Sequence, residues 1–286
     1  MKTVATMALK SGMVLARDVY SYQNILISKE GDIVDSKLIA KLSRYSIMCV
    51  EVKESSDFAV TDYHRIHSSQ AFQNFENIYR TNLNAFKYMM DSFLENNSTL
   101  NLSYLLSIHD NVKTCCKNDK ELLDFLYHLI LKKEDLVYAH LLNAALISSI
   151  LGKYIGLNSK DSKLLILCGF LYDIGKIKLP VHLLFKSTKL TEAEQKMIQN
   201  HTQIGYDLLR NQNINDKIIQ CTLNHHEKPD GTGYPNGLHA ESIDLFSKYI
   251  SIVDRCETMT FVTDDKQSLN PAQILDYFEK MNKIPF

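Results

Sequence analysis

Six side chains from residue 140 onward are of the kinds that hold metal ions: His140, Asp173, His201, His225, His226 and Asp254. His140 sits within "LVYAHLLNAALISSILGKYIG", a stretch apolar almost all round, as a central buried helix is. A buried imidazole there needs a hydrogen-bond partner or a metal. Asp173 follows the apolar run "LLILCGFLY", and Asp254 repeats the situation in "YISIVDRC". Carboxylates in such places are costly unless cations surround them. Nitrogen and oxygen donors from separate helices suit a first-row metal pair such as iron or manganese better than a cysteine-rich structural zinc site. Taken singly, His140 reads as a satisfied core histidine and His201 as a surface residue; their company makes them a site.

The string "NHHEKPDGTGYP", residues 224–235, adds two adjacent histidines and a glycine-rich turn. Neighbours on a regular helix point about 100° apart, so His225 and His226 are expected to serve two ions, or one ion and a substrate. Two metal ions a few ångströms apart lower the pKa of a water between them and equip it for in-line attack on phosphorus. Lys176, one turn beyond Asp173, is placed to neutralise a phosphate oxygen, although a helix-end lysine is ordinary. Gly231 and Gly233 permit turns closed to other residues, and Tyr234 offers a stacking face and a hydroxyl.

The elements that must carry these residues are mainly helical. Residues 1–56 read as a small α/β module: "MVLARDVY", "NILISKEGDIV" with its turn at Gly31-Asp32, a short helix near Lys37 to Arg44, and "IMCVEVK". Polar turn formers in "ESSDFAVTDY" mark a boundary. Residues 57–118 form a connecting region in which Phe72, Phe75, Tyr79, Leu83, Phe86, Met90 and Phe93 recur every three or four positions, predicting one long amphipathic helix. Its stripe packs against the chain's own helices or forms the seam of a homodimer. Residues 119–286 read as an all-helical bundle, with "LTEAEQKMIQNHTQIGYDLLRNQ" as one helix opened by a capping box at Thr191 and Glu194.

The chain of 286 residues has a net charge of −1, so it lacks the basic field that polymeric nucleic acid or an anionic membrane attracts. Its longest apolar run is about half of the roughly 20 residues that cross a bilayer, and the N-terminus lacks a signal-peptide core. The six cysteines include no CxxC pair, and the vicinal Cys115-Cys116 bridges only with strain. A reduced cytoplasmic protein without membrane insertion is expected.

From about Asp119 onward the residues resemble the HD-GYP domain phosphodiesterases, which hydrolyse the bacterial second messenger cyclic di-GMP and related cyclic dinucleotides. The family's HDxGK motif matches Tyr172 to Lys176, and HHExxDGxGYP is intact from His225 to Pro235. The resemblance implies an all-helical fold and two iron or manganese ions held by His140, Asp173, His201, His225, His226 and Asp254, with Asp173 bridging. It also implies dinucleotide contacts from Gly233 and Tyr234, help at the phosphate from Lys176, and a small N-terminal module. Three departures stand out. Tyr172 replaces the histidine of the HD pair, and a phenol, with a reference pKa of about 10, ligates well only to a strongly acidic ion such as ferric iron. In "ETMTFVTDDKQ", Glu257 replaces an aspartate and Thr263 an arginine, leaving Lys266, beside Asp264 and Asp265, as the cation for the substrate phosphates. Leu136 stands where three-metal members carry a carboxylate, so a third metal is not expected.

Three functional readings follow. The first is a metal-dependent phosphodiesterase acting on a cyclic dinucleotide, with reduced activity. The second is a catalytically degenerate domain that senses ligand or docks signalling proteins. The third is a diiron-type redox or oxygen sensor with Tyr172 on iron.

Overall fold

Between Lys2 and Lys53 short apolar runs alternate with polar turns, which favours short strands over long helices. The structure is a computed structural model, and it describes residues 2–10, 12–21, 25–53, 66–96, 98–186 and 188–260. By compactness the chain divides into Met1–Ser69 and Gln70–Phe286.

In the first unit β1 (Lys2–Ala5) pairs antiparallel with β4 (Cys49–Val52), and β2 (Val19–Tyr20) with β3 (Leu26–Ser28). The Gly31-Asp32 turn forms as expected, closed by Asp32 Oδ2, which accepts from Ser28 Oγ at 2.6 Å and Lys29 N at 2.8 Å. Helix α1 (Ser36–Arg44) is capped by Asp35, which accepts from Leu38 N. Leu15, Ile27, Val34, Leu42 and Val52 fill a small core. Strand β1 was not legible, because only Val4 of its four residues is buried and no alternation shows.

The second unit opens with α2 (Gln70–Asn96), whose predicted stripe is buried throughout. The stripe meets helices of the same chain: Phe72 lies 5.4 Å from Phe125 and Phe86 lies 5.2 Å from Phe170, ring centre to ring centre. Each such phenylalanine contributes roughly 1.5–3 kcal/mol relative to an exposed one. Helices α3 (Leu102–Lys113) and α4 (Asp119–His128) follow, capped by Asn101 and Asn118.

The apolar stretch 136–154 becomes α5 (Leu136–Tyr154), which packs along α6 (Ser159–Leu171). Among the described residues α5 belongs to the only segment long and apolar enough to cross a membrane, yet over half of that segment is buried inside the unit. It is a core helix. Next come α7 (Val181–Leu184), α8 (Glu192–Gln199), α9 (His201–Leu209), α10 (Asp216–Asn224) and α11 (Leu245–Thr260).

One expected helix is two. The capping box at Thr191 and Glu194 forms, but the helix breaks at Asn200, where ψ is −7° against about −42° in a regular helix. The break re-aims the chain so that His201 opens a new helix. The proposed boundary at "ESSDFAVTDY", and Thr263, Asp264, Asp265 and Lys266, lie outside the described residues.

Candidate metal centre

The six predicted donors arrive from five places. His140 lies on the second turn of α5, Asp173 just beyond α6, His201 at the start of α9, His225 and His226 just beyond α10, and Asp254 within α11. A short 3₁₀ turn, Ile174–Lys178, ties Asp173 to α9. Gly175 makes this approach feasible, since a Cβ there falls 2.0 Å from the His201 carbonyl oxygen. The glycine of the YDIGK stretch is therefore a packing requirement.

Two clusters share Asp173. In the first, His201 Nε2 lies 2.9 Å from Asp173 Oδ1, His225 Nε2 lies 3.4 Å from the same oxygen, and the two nitrogens are 3.3 Å apart. His226 completes this group of four, whose donor atoms all fall within 4.8 Å of one another. The divergence of about 100° expected of neighbours on a regular helix does not apply here. The helix closes at Asn224 and the chain turns, so both imidazoles fold to one side with centroids 4.1 Å apart.

Backbone carbonyls fix the tautomers. His201 Nδ1 donates to Ile198 O at 2.6 Å and His225 Nδ1 to Cys221 O at 3.0 Å, which leaves each Nε2 lone pair facing the cluster. Burial first, then neighbouring His225, pushes the His226 pKa down to about 2, so this imidazole is neutral and free to ligate. Burial likewise lowers His201, against the pull of Asp173.

In the second cluster His140 Nε2 stands 2.9 Å from Asp173 Oδ2 and 3.3 Å from Asp254 Oδ1. The Tyr172 hydroxyl joins them, 2.5 Å from His140 Nε2 and 3.0 Å from Asp254 Oδ1. Its ring is fully buried and meets His225 edge-on at 4.9 Å. Burial, then the charges of Asp254, Asp173 and Glu257, hold this phenol well above its ordinary pKa, so without a cation beside it the hydroxyl keeps its proton.

Lys176 pairs with Asp173 Oδ2. Burial by itself opposes ionisation of Asp173, but Lys176, His201 and His140 outweigh it and hold the carboxyl well below the ordinary range. Even so, the fully buried Asp173 Oδ1 makes no hydrogen bond among the described residues, although two imidazole nitrogens crowd it. Donors that converge without bonding one another suit a cation between them. The residues fit a metal.

The GYP loop forms one wall. The Tyr234 ring stacks on His226 at 4.7 Å with 29° between planes. A Cβ on Gly233 falls 2.4 Å from Lys228 N and 2.5 Å from Glu227 Cα, so only glycine lets the loop fold back on the histidine pair. Glu227 is buried and accepts from Asn236 N at 2.6 Å and Leu238 N at 2.8 Å, latching the loop.

Sequence reasoning missed Glu227 as a latch and Glu257 as a partner of His140 Nδ1, 2.5 Å away. The signal for Glu257 was its place one turn after Asp254, on the same helix face.

The sequence profile of the family described as HD domain matches residues 124–284, which takes in every donor of both clusters. The chain belongs to the HD domain family. Across 50% of its length it is 35% identical to 3'3'-cGAMP-specific phosphodiesterase 1 of Vibrio cholerae, covering 33% of that protein. Over 56% of its length it is 28% identical to a cyclic di-GMP phosphodiesterase response regulator of Xanthomonas campestris, covering 43% of it. The chain thus matches less than half the length of these two relatives. A solved HDG"Y"P protein from Bdellovibrio bacteriovorus shares the fold, with a TM-score of 0.50 at 15% identity over 99% of both chains. The mainly helical HD fold is the one expected.

Proposed function

We propose that this HD domain protein is a metal-dependent phosphodiesterase acting on a cyclic dinucleotide, with cyclic di-GMP as the leading substrate. The observation that carries this reading is the complete group Asp173, His201, His225 and His226 beside a GYP loop whose tyrosine stacks on a member of the group. Names of similar proteins point the same way, to cyclic di-GMP and to 3'3'-cGAMP.

Asp173, His201, His225 and His226 would hold one metal ion, and His140, Asp173 and Asp254, with Tyr172 beside them, would hold another. Iron or manganese suits this mixture of imidazole and carboxylate donors. Bound there, such ions supply Lewis acidity toward a phosphoryl oxygen and make water a better nucleophile. The protein's own groups do the rest. Tyr234 gives a nucleobase or ribose a flat face, Gly233 lets the loop backbone come close, and Lys176 places a cation next to Asp173 for a phosphate oxygen to share. Lys266 is a further cation for the substrate phosphates.

A second reading rests on Tyr172. Its hydroxyl stands among the donors of the second cluster in place of an imidazole nitrogen, which suits a domain that binds a dinucleotide or a signalling partner without turning it over.

One experiment separates the two. Protein loaded anaerobically with iron or manganese is assayed for hydrolysis of cyclic di-GMP and 3'3'-cGAMP beside Tyr172→His, with metal content determined for both. Turnover by the parent chain is the expected result; turnover by the variant alone decides for the non-catalytic reading.

A further inference from the structure

A buried chain of hydrogen bonds ends on His140. The Tyr79 hydroxyl donates to Asn143 Oδ1 at 2.7 Å, Asn143 Nδ2 donates to Glu257 Oε1 at 3.2 Å, and Glu257 Oε2 lies 2.5 Å from His140 Nδ1. Tyr79, Asn143 and Glu257 come from α2, α5 and α11 and are all buried. A carboxylate only accepts, so the Asn143 amide must turn its NH₂ toward Glu257, which leaves its carbonyl oxygen facing Tyr79. Turning the amide over sets two acceptors against each other in a dry interior, where an unpaired polar group is most costly. One orientation of each group therefore satisfies the whole chain, and it leaves His140 with its proton on Nδ1.

We propose that Tyr79 is a positioning residue of the metal centre: through Asn143 and Glu257 it holds the His140 imidazole with its Nδ1–H on Glu257 and Nε2 turned to the second cluster. The inference rests on the metal-centre reading above and extends it to α2, which carries none of the donors. A carboxylate on the far nitrogen of a ligating histidine fixes its ring and raises its basicity. The hydroxyl of Tyr79 acts at one remove, by setting the amide that holds that carboxylate. A second hydroxyl contact joins α5 to α2, Tyr138 donating to Asp91 at 2.5 Å. It stands outside the path from Tyr79 to His140, which makes it a matched control.

The test uses the full chain, metal-free and labelled with ¹⁵N-histidine, followed by titration with Mn²⁺. The Nδ1–H proton of His140 is identified by its loss in His140→Gln. In Tyr79→Phe this proton is expected to shift and to exchange faster with water. The weaker Mn²⁺ step should weaken about tenfold, the lower end of the loss when an outer partner of a ligating histidine is removed. The step that uses His201, His225 and His226 should hold, and Tyr138→Phe should move neither reading. In a Glu257→Gln background Tyr79→Phe should add nothing further to the loss of metal affinity, since the link is already cut.

A folded Tyr79→Phe protein with an unchanged imidazole proton overturns the proposal, as does a loss that simply adds to that of Glu257→Gln. If Tyr79→Phe does not fold, Asn143→Ser takes its place: a shifted proton and a non-additive loss support the link, and an unchanged proton or an additive loss overturns it. The proton is read without metal or nucleotide, so a protein that hydrolyses nothing counts against the phosphodiesterase reading and leaves the Tyr79 link to be decided separately.

Discussion

The two clusters that share Asp173 are held in different ways. In the three-histidine cluster, orientation is local: His201 is tied to a carbonyl three residues back and His225 to one four residues back. Any chain that forms these helix ends aims these rings. In the other cluster His140 is aimed by Glu257, 117 residues away, and faces a phenol where the HD pair usually supplies imidazole. The first cluster offers three imidazole nitrogens and one carboxylate; the second offers one nitrogen, two carboxylates and a hydroxyl that keeps its proton until a cation arrives. One site is thus pre-formed by backbone, while the other depends on long-range side-chain contacts and on the acidity of whatever ion enters. The pair should be unequal in affinity.

The largest effect should come from the stronger side. In a His225→Ala, His226→Ala double variant, loss of inner donors should exceed the roughly 10–100-fold loss of affinity that follows removal of an outer partner. Bound metal, measured by plasma emission after gel filtration, should fall to background and hydrolysis with it. His140→Ala should leave about one equivalent in place, on the intact histidine cluster. Equal losses in the two variants would break the proposed inequality.

Tyr172→His sharpens the same contrast from the weaker side. A neutral nitrogen in place of a protonated phenol should tighten the second Mn²⁺ step by at least the roughly tenfold that changes around a ligating histidine produce. The first step should stay put. Ferric iron in the parent protein should show a phenolate charge-transfer band that the variant lacks; a colourless ferric parent would remove Tyr172 from the coordination shell.

The inequality also explains what could be read from the letters. Every donor but His201, which alone reads as a surface residue, was legible as a residue type in an improbable place: a histidine in an all-apolar helix, aspartates ending apolar runs, two histidines before a glycine loop. The stripe from Phe72 to Phe93 declared α2, because period alone fixes a long helix. Geometry that depends on where an element stops was less legible. The break at Asn200 and the closure of α10 at Asn224 each re-aim a histidine, and a residue or two at a helix end decides both. Contacts between distant side chains were not legible at all. Asn143 and Tyr79 read as one polar position in a core helix and one aromatic in a stripe, and only the crossing of α2, α5 and α11 joins them to His140.

Glu227 gives a smaller effect, confined to the loop. Its carboxylate accepts two backbone N–H groups in a buried position, and hydrogen bonds to a charged group contribute about 1.5–3 kcal/mol each. Glu227→Gln keeps the shape, offers one acceptor oxygen instead of two, and sets an NH₂ against a backbone donor. KM should rise about tenfold, corresponding to about 1.4 kcal/mol, with metal content unchanged. A fall in bound metal would mean that the latch also shapes the three-histidine cluster, and the two functions of the HHE stretch would no longer be separable.

Tyr234 should give the smallest effect, and it separates the face of a ring from its hydroxyl. The ring lies nearly parallel to His226, an arrangement that Phe reproduces, and aromatic pairs of this kind contribute about 0.5–1.5 kcal/mol beyond area. Burial, then the charges of Asp173 and Asp254, raise the Tyr234 pKa, so the group is a neutral phenol throughout the working range and its hydroxyl is worth about 1 kcal/mol as a hydrogen-bond donor. Tyr234→Phe should therefore raise KM by no more than about fivefold on that figure, whereas Tyr234→Ala strips the wall from His226 and should raise it further. Should Tyr234→Phe prove as damaging as Tyr234→Ala, the hydroxyl is the working part, and the loop reads its ligand by a hydrogen bond. A wide gap between them instead makes Tyr234 a platform, which ties loop and three-histidine cluster into one face through the ring stacked on His226.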